Sequence, residues 1–437
     1  MTIDELKKKK ISAISLGCDK NRVDLEKILF NLKEFGFEIV ENLEDAEIII
    51  VNTCAFIRPA IDESIESVFT AIDFKKLKCE KVIMTGCFIS RFSSSLLPID
   101  GVDAMIDIKD NEKIVEKLLM LYDIRGKVDY KEGRVLTNAP HLAYLKIADG
   151  CDNGCAYCTI PRIRGRYKSV PFENLIKETK MLAGMGVKEL ILVAQDTTRY
   201  GEDLYGKNRL VELLHELSKI KKIKWIRLHY CYPEKVTDEL LDEIYNNPKI
   251  CKYLDIPLQH IDDKILKDMN RRSGEQNVRD LFDKLKLKYS NISVRSTFIV
   301  GFPGETKKQF NKLLDFLRDA KISRAGFFPF SKEEKTKAYF MKKQVWNITK
   351  KRRLKKAQMV QEQVMNAICI NKIGETTDVI IDFYDEENRV YVGRQSDDSP
   401  DVDFFTTVRS ALALEIGEIY KARITNYFDG IFEAEVL

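Results

Sequence analysis

The sequence predicts an α/β protein in three parts: a parallel α/β sheet domain, a central (β/α) partial barrel, and a small antiparallel β-barrel at the carboxyl end. Three observations lead there. Strand and helix patterns alternate over residues 1 to about 125. The alternation restarts at 142 with a longer period and yields six units before about 330. The end of the chain alternates apolar and polar residues, with turn signals and no helical period.

In the first part, ISAISLGC (11–18) reads as a strand, and DLEKILFNLKEFG (24–36) as a helix closed by Gly36. EIIIVNTC (47–54) is a strand apolar on both faces, as a buried parallel strand requires. PAIDESIESVFTAIDF (59–74) is a helix with Pro59 in its first turn, and KVIMTGC (81–87) is a further strand. Such alternation places helices on both faces of a parallel sheet. The domain is expected to span 1–125, followed by a polar linker at 126–141.

In the second part, the expected strands are AYLKIA (143–148), ELILVAQ (189–195), WIRLHY (225–230), YLDIPLQ (253–259), ISVRSTFIVG (292–301) and RAGFFPF (324–330). Amphipathic stretches such as VELLHELSKI (211–220) lie between them, as in a parallel barrel or part of one. A long basic helix at 344–372 closes this domain, 142–372. The last domain, 373–437, carries turns at DEEN and FDG and reads as a small antiparallel β-barrel.

Composition sets limits. A chain of 437 residues, 44% hydrophobic and 32% charged, has room for about three domains. No apolar run approaches the ~18 residues that cross a bilayer. The start, MTIDELKKKKISAISLGC, lacks the features of a cleaved leader. A cytoplasmic protein with no membrane partner is expected, and without a heptad run, a monomer. Ten cysteines in that compartment point to metal or catalysis rather than disulfides.

Three of them, Cys151, Cys155 and Cys158, fall within GCDNGCAYC, directly after the first barrel strand. Chemistry in such barrels gathers in the loops at the carboxyl ends of strands. Short cysteine spacings of this kind suit an iron–sulfur cluster with one iron left open. Zinc needs a fourth ligand, which Cys231 or His229 would have to supply from a later strand. Cys18, Cys54 and Cys87 each close one strand of the first domain, in the contexts SLGC, VNTC and MTGC. The carboxyl ends of strands in an open parallel sheet share one edge, so these three are expected together as a second cluster site. Buried structural cysteines are the plain alternative.

The C-x₃-C-x₂-C run resembles that of the radical S-adenosylmethionine superfamily. Two three-cysteine sites and a small terminal barrel together resemble the methylthiotransferases, over essentially the whole chain. The resemblance implies a radical SAM type of barrel, a terminal TRAM domain of OB-like form, two [4Fe-4S] clusters and S-adenosyl-L-methionine. In that superfamily, reduction of the cluster cleaves S-adenosylmethionine to a 5′-deoxyadenosyl radical. The second cluster carries or donates sulfur, and an electron donor such as flavodoxin or ferredoxin supplies reducing equivalents. The resemblance also assigns Tyr157 to the adenine. Gln195, Asp196, Gln259, Arg295 and Gly301, at or near barrel strands, are candidate cofactor contacts, with His260 and Gly304 beside them.

SLGCDKNRVDLE and LVAQDTTRYGEDL (192–204) are similar to signatures of the RimO-type branch, which modifies an aspartate of ribosomal protein S-twelve at its β-carbon. The tRNA-modifying branch is the alternative, and a non-catalytic iron–sulfur carrier a third class. Departures from the branch pattern are Asp19, Ala55, Lys335 and Lys337, none of them a cysteine. Charge separates the first two classes. From Gly374 to Leu437 there are fifteen Asp+Glu and five Lys+Arg, a net of 5 − 15 = −10. A tRNA-binding module should be basic. An acidic one suits a basic ribosomal protein of the small subunit. The run KKRRLKK (350–356) points the other way, to ribosomal RNA or to a solvated helix face.

Overall fold

The computed structural model describes residues 2–437. They form two compact units. The first holds residues up to Thr137 with Asp149–Asp152 and Cys158–Tyr167; the second holds Asn138–Ala148, Asn153–Tyr157 and Lys168–Leu437.

The first unit is built on β1 (Lys10–Ser15), β2 (Glu38–Ile39), β3 (Ile48–Thr53), β4 (Lys81–Gly86) and β5 (Ala104–Ile106), all parallel, in the order β2-β1-β3-β4-β5. Side chains alternate along β3. Ile48 and Ile50 join Leu25, Leu29 and Leu118 in one core. Ile49 and Val51 join Ile61, Val68 and Phe88 in the other. Helices therefore cover both faces, as expected. Helix Asp19–Phe35 starts five residues earlier than its apolar period suggested, with Cys18 as its N-cap and left-handed Gly36 as its C-cap.

The stretch expected as a linker has no helix or strand between Leu121 and Leu142. Part of it is nevertheless fixed. Val135 donates its amide to the Glu26 carbonyl at 3.1 Å. The buried Glu26 carboxylate accepts from Arg134 Nε at 2.9 Å and from the Thr137 amide at 3.0 Å. This part is a strap laid on helix Asp19–Phe35 rather than a free tether.

In the second unit, two short strands, β7 (Ala148–Asp149, its last residue counted with the first unit) and β8 (Lys168–Ser169), come either side of the cysteine run in sequence. The six expected barrel strands are all present: β6 (Leu142–Lys146), β9 (Glu189–Val193), β10 (Trp225–Leu228), β11 (Ile250–Asp255), β12 (Ser293–Val300) and β13 (Arg324–Pro329). They pair in parallel in the order β13-β12-β11-β10-β9-β6, so the barrel is partial. β11 ends before Pro257, which has no N–H to give to a ladder; the expected 253–259 strand is thus shifted toward its start. The long basic helix spans Asn347–Asn371. The terminal strands β14 (Thr376–Asp385), β15 (Val390–Gln395), β16 (Phe405–Arg409), β17 (Ile419–Phe428) and β18 (Ile431–Val436) close a barrel in the order β14-β15-β16-β18-β17.

The two barrels share a polar junction. The β15–β16 loop reaches residues of the partial-barrel strands, from Arg324 at the start of β13 to His229 just past the end of β10. There Arg324 pairs with Asp398, and Arg295 Nη1 lies 2.7 Å from Asp403. The Tyr253 hydroxyl donates to Asp403 at 2.8 Å, and Arg227 Nη1 donates to the Ser396 carbonyl at 2.9 Å. His229 Nε2 stands 2.8 Å from Ser399 Oγ. Glu189, fully buried, lies between Arg227 Nε at 3.0 Å and Arg394 Nη1 at 2.7 Å. Buried carboxylates and guanidinia survive desolvation only when paired in this way. Several acids that gave the terminal segment its negative balance therefore face inward. No described helix is long and apolar enough to cross a membrane.

Candidate active site

The amino-terminal cysteines follow three neighbouring strands. Cys18 caps helix Asp19–Phe35, Cys54 follows β3, and Cys87 opens helix Cys87–Phe92. Two of the three thus stand at helix N-termini, where the backbone dipole favours a thiolate. Two glycines explain the SLGC and MTGC contexts. A Cβ on Gly17, at φ +86°, would stand 2.8 Å from the Cys54 sulfur; one on Gly86, at φ +96°, would stand 2.4 Å from the Thr53 carbonyl oxygen. Ser64 Oγ accepts from the Cys54 amide at 3.0 Å and donates to its carbonyl at 2.7 Å, clamping that turn.

Burial raises the Cys54 thiol, and the Cys18 thiol beside it adds to the shift. Cys87 is pushed up to about 12, by burial first and by Cys18 and Cys54 further, with Arg164 opposing. Cys54 and Cys87 thus each feel a neighbouring thiol's charge. Left alone, the Cys87 sulfur keeps its proton at neutral pH; a bound metal cation would displace it. An all-sulfur donor set under two helix N-termini and a guanidinium fits an anionic iron–sulfur cluster. A single zinc ion would need its ligands crowded together, and among the described residues no three His, Cys, Asp or Glu side chains are so grouped.

The other cysteine run is held piece by piece. In the first unit, the Cys151 amide donates to the Gly165 carbonyl at 3.1 Å, and the Cys158 sulfur accepts from the Ile160 amide at 3.4 Å. In the second unit, groups from beyond the carboxyl ends of four strands grip residues 153–157. Past β9, Asp196 accepts from Asn153 Nδ2 at 2.8 Å. Past β10, the Tyr232 hydroxyl stands 3.9 Å from the Cys155 sulfur. Past β11, Asn270 Nδ2 donates to the Gly154 carbonyl at 2.9 Å, and Met269 O accepts from the Ala156 amide at 2.9 Å. Arg271 Nη1 lies 3.9 Å from Cys155 Sγ, with its guanidinium 4.2 Å from the Tyr232 ring centroid. Past β13, the Ala338 amide donates to the Ala156 carbonyl at 2.8 Å.

The remaining candidates divide. Tyr157 packs against the apolar cluster of Ala156, Met269, Phe302 and Phe330. Gln195 is half-buried beside Asp196, whose carboxyl is raised by burial against the hydrogen bonds from Asn153 and Thr198. Gln259 takes the left-handed conformation, φ 71°, and so does Tyr230, φ 60°, past the neighbouring strand. Two non-glycine residues held this way past neighbouring strands mark stored backbone strain at that end of the barrel. Arg295 stands apart. It lies in the amino half of β12 and pairs with Asp403, away from the loop that carries Cys155. At Gly301, φ +74°, a Cβ would meet the Lys350 side chain at 2.5 Å, whereas Gly304 faces open space. The glycine at 301 is therefore required by packing. His260 is buried, with Nδ1 accepting from the Asp262 amide at 3.0 Å. His229 is engaged through Nε2 by Ser399, and Cys231 is fully buried.

Three residues escaped the sequence reading. Arg164 in IPRIRGRYKS contacts Cys87, Arg271 in MNRR contacts Cys155, and Glu305 in FPGET accepts from the Gly301 and Phe302 amides. Each stands in a motif already quoted or adjacent to one, yet charged residues near glycines read as loop surface until the fold buries them.

Family models match three stretches of the chain: the radical SAM superfamily over residues 145–317, a family described as uncharacterized protein family UPF0004 over 10–107, and the TRAM domain over 373–436. The ribosomal protein uS12 methylthiotransferase RimO of Clostridium botulinum strain Eklund 17B is 44% identical over 445 residues, covering 98% of this chain and 99% of the relative. That of Clostridium novyi strain NT is 42% identical, covering 95% and 96%. Among solved structures, the radical S-adenosylmethionine methyltransferase TsrM from Kitasatospora setae superposes with a TM-score of 0.55 at 14% identity, over 73% of this chain and 72% of that one. The cobalamin-dependent S-adenosylmethionine radical enzyme OxsB gives 0.51 at 12% identity, over 82% and 57%. At such identities the two structures speak for the fold alone.

Proposed function

The chain belongs to the RimO family of ribosomal protein uS12 methylthiotransferases, and on that premise we propose that it inserts a methylthio group at the β-carbon of an aspartate of uS12. What carries the proposal is the pair of three-cysteine sets, each following parallel strands at their carboxyl ends, in a chain related to those enzymes over its whole length. The family implies S-adenosylmethionine and a [4Fe-4S] cluster. We assign that cluster to Cys151, Cys155 and Cys158, and a second one to Cys18, Cys54 and Cys87. When bound, these groups supply a carbon-centred radical and a methylated sulfur, which an unactivated C–H bond requires and side chains alone lack.

The chain's own residues bind and orient. Three thiolates leave one iron position free for S-adenosylmethionine, with Tyr157 against its base and Gln195, Asp196 and Gln259 at the same end of the barrel. Asp196 also fixes the cysteine loop through Asn153. Arg271 offsets negative charge beside Cys155.

The substrate docks on the terminal barrel, where Glu386, Glu387, Glu415 and Glu435 remain exposed for a basic protein. Exposed Lys351, Arg352, Lys355 and Lys356 on the long helix suit ribosomal RNA phosphate. The protein works in the cytoplasm as a monomer, with a flavodoxin or ferredoxin as electron donor. In a strain lacking the gene, mass spectrometry finds uS12 lighter by one methylthio group and tRNA nucleosides unchanged. Altered tRNA with intact uS12 would reverse the assignment. Cys18→Ala is expected to retain S-adenosylmethionine cleavage and lose methylthiolation; full product from that variant would sink the two-site scheme.

A further inference from the structure

Arg164 follows Cys158 by six residues, and its side chain is 1% exposed. Nη1 lies 2.9 Å from Asp24 Oδ2 and 3.2 and 2.9 Å from the two oxygens of Asp149. Nη2 lies 3.2 Å from Asn21 Oδ1 and 3.6 Å from Cys87 Sγ. The four partners come from distinct places. Asn21 and Asp24 belong to the first turns of the helix that Cys18 caps. Cys87 opens its own helix, and Asp149 stands two residues before Cys151. A planar guanidinium with five donors can serve two carboxylates, an amide oxygen and a sulfur at once; an ammonium cannot reach all of them.

Further ties run through the same segment. Thr159 Oγ1 donates to the Phe56 carbonyl, two residues past Cys54, at 3.0 Å. A Cβ on Gly150 would stand 2.1 Å from the Arg166 carbonyl oxygen, so the segments before Cys151 and after Cys158 are pressed together around Arg164. Burial disfavours a charge here, but Asp24 and Asp149 outweigh it and keep the guanidinium protonated.

We propose that Arg164 is a positioning residue that fixes the segment leading into Cys151 against the Cys87 sulfur and sets the reduction potential of the cluster held by Cys18, Cys54 and Cys87. It rests on the assignment of a cluster to those three cysteines. A hydrogen bond from a full positive charge to a ligating sulfur draws electron density from the cluster and raises its potential. Removing it also leaves Asp24 and Asp149 as uncompensated buried negative charge beside the site. Both effects move the potential down.

The test uses the full chain with Cys151, Cys155 and Cys158 changed to Ala and reconstituted with iron and sulfide, so that one cluster reports. Redox titration followed by electron paramagnetic resonance reads its potential with Arg164, with Arg164→Lys and with Arg164→Gln. The potential is expected to fall in both variants, least in Arg164→Lys, which keeps the charge and decides the matter should Arg164→Gln fail to fold. A potential unchanged in Arg164→Lys and in any folded Arg164→Gln overturns the proposal and leaves the cluster assignment standing. A parent that takes up no cluster at all overturns both. In the otherwise native enzyme, Arg164→Lys should lower methylthiolation about tenfold, the scale of one charge-assisted hydrogen bond; a merely structural contact would leave the potential where it was.

Discussion

Asn153 donates its side-chain amide to the Asp196 carboxylate at 2.8 Å, joining the middle of the cysteine run to the segment after β9. Burial raises the Asp196 carboxyl, and the bonds from this donor and from Thr198 oppose that shift. Asn153→Ala removes one charge-assisted bond of about 1.5–3 kcal/mol. S-adenosylmethionine binding, measured by equilibrium dialysis on reconstituted enzyme, is expected to weaken roughly tenfold. Unchanged affinity would detach Asp196 from the cofactor site.

Glu305 gives a pH signature. Burial pushes its carboxyl up to about 7, against Arg353 and the amides of Gly301 and Phe302. A carboxyl raised in the folded state binds more protons folded than unfolded, so its contribution is present in full below its ordinary pKa and is lost as pH rises through about 7. Between pH 5 and 7.5, roughly the window of that shift, wild type should therefore lose melting temperature relative to Glu305→Gln. Parallel melting curves for the two proteins would contradict the assignment.

The junction between the partial and terminal barrels should be intolerant of single changes. Asp398 is fully buried against Arg324. Asp398→Ala takes away the nearest carboxylate of Arg324, leaving Asp397 at 3.7 Å and Asp403 at 4.0 Å, and should cost about 1.5–3 kcal/mol in chemical unfolding. Arg324→Met combined with Asp398→Leu replaces both charges with apolar volume and should cost much less than either single change.

Exposed acids should behave differently. Glu386→Lys with Glu387→Lys lies in the β14–β15 turn and touches no buried pair. Stability should hold while association with uS12 slows, by a margin that shrinks as salt rises. Equal on-rates at low salt would remove the terminal barrel as the docking surface.

Periodicity exposed the six barrel strands and the parallel amino-terminal sheet because parallel strands are apolar runs bounded by turns, a local property. The six cysteines were legible because their places at strand ends follow from that alternation. What stayed hidden is long-range. Nothing near Arg295 in sequence announces Asp403, over a hundred residues away, so its place at a β-strand suggested cofactor rather than partner. Gly301 looked like an opening for cofactor, yet the Lys350 stem fills that direction. The negative balance of the terminal segment was countable, but not which acids spend their charge on Arg295, Arg324 and Arg394. Arg164 needed the fold itself, since four of its contacts lie 15 to 143 residues away.

The loop from Ser396 to Phe404 makes the last domain hard to graft. A chimaera joined at residue 373 would bring in a foreign barrel without Asp397, Asp398 and Asp403, and would leave Arg295 and Arg324 facing an alien surface. The terminal barrel in this architecture therefore cannot be exchanged as a cassette. Any transplant must carry its plug with it, or redesign the floor of the catalytic barrel to match.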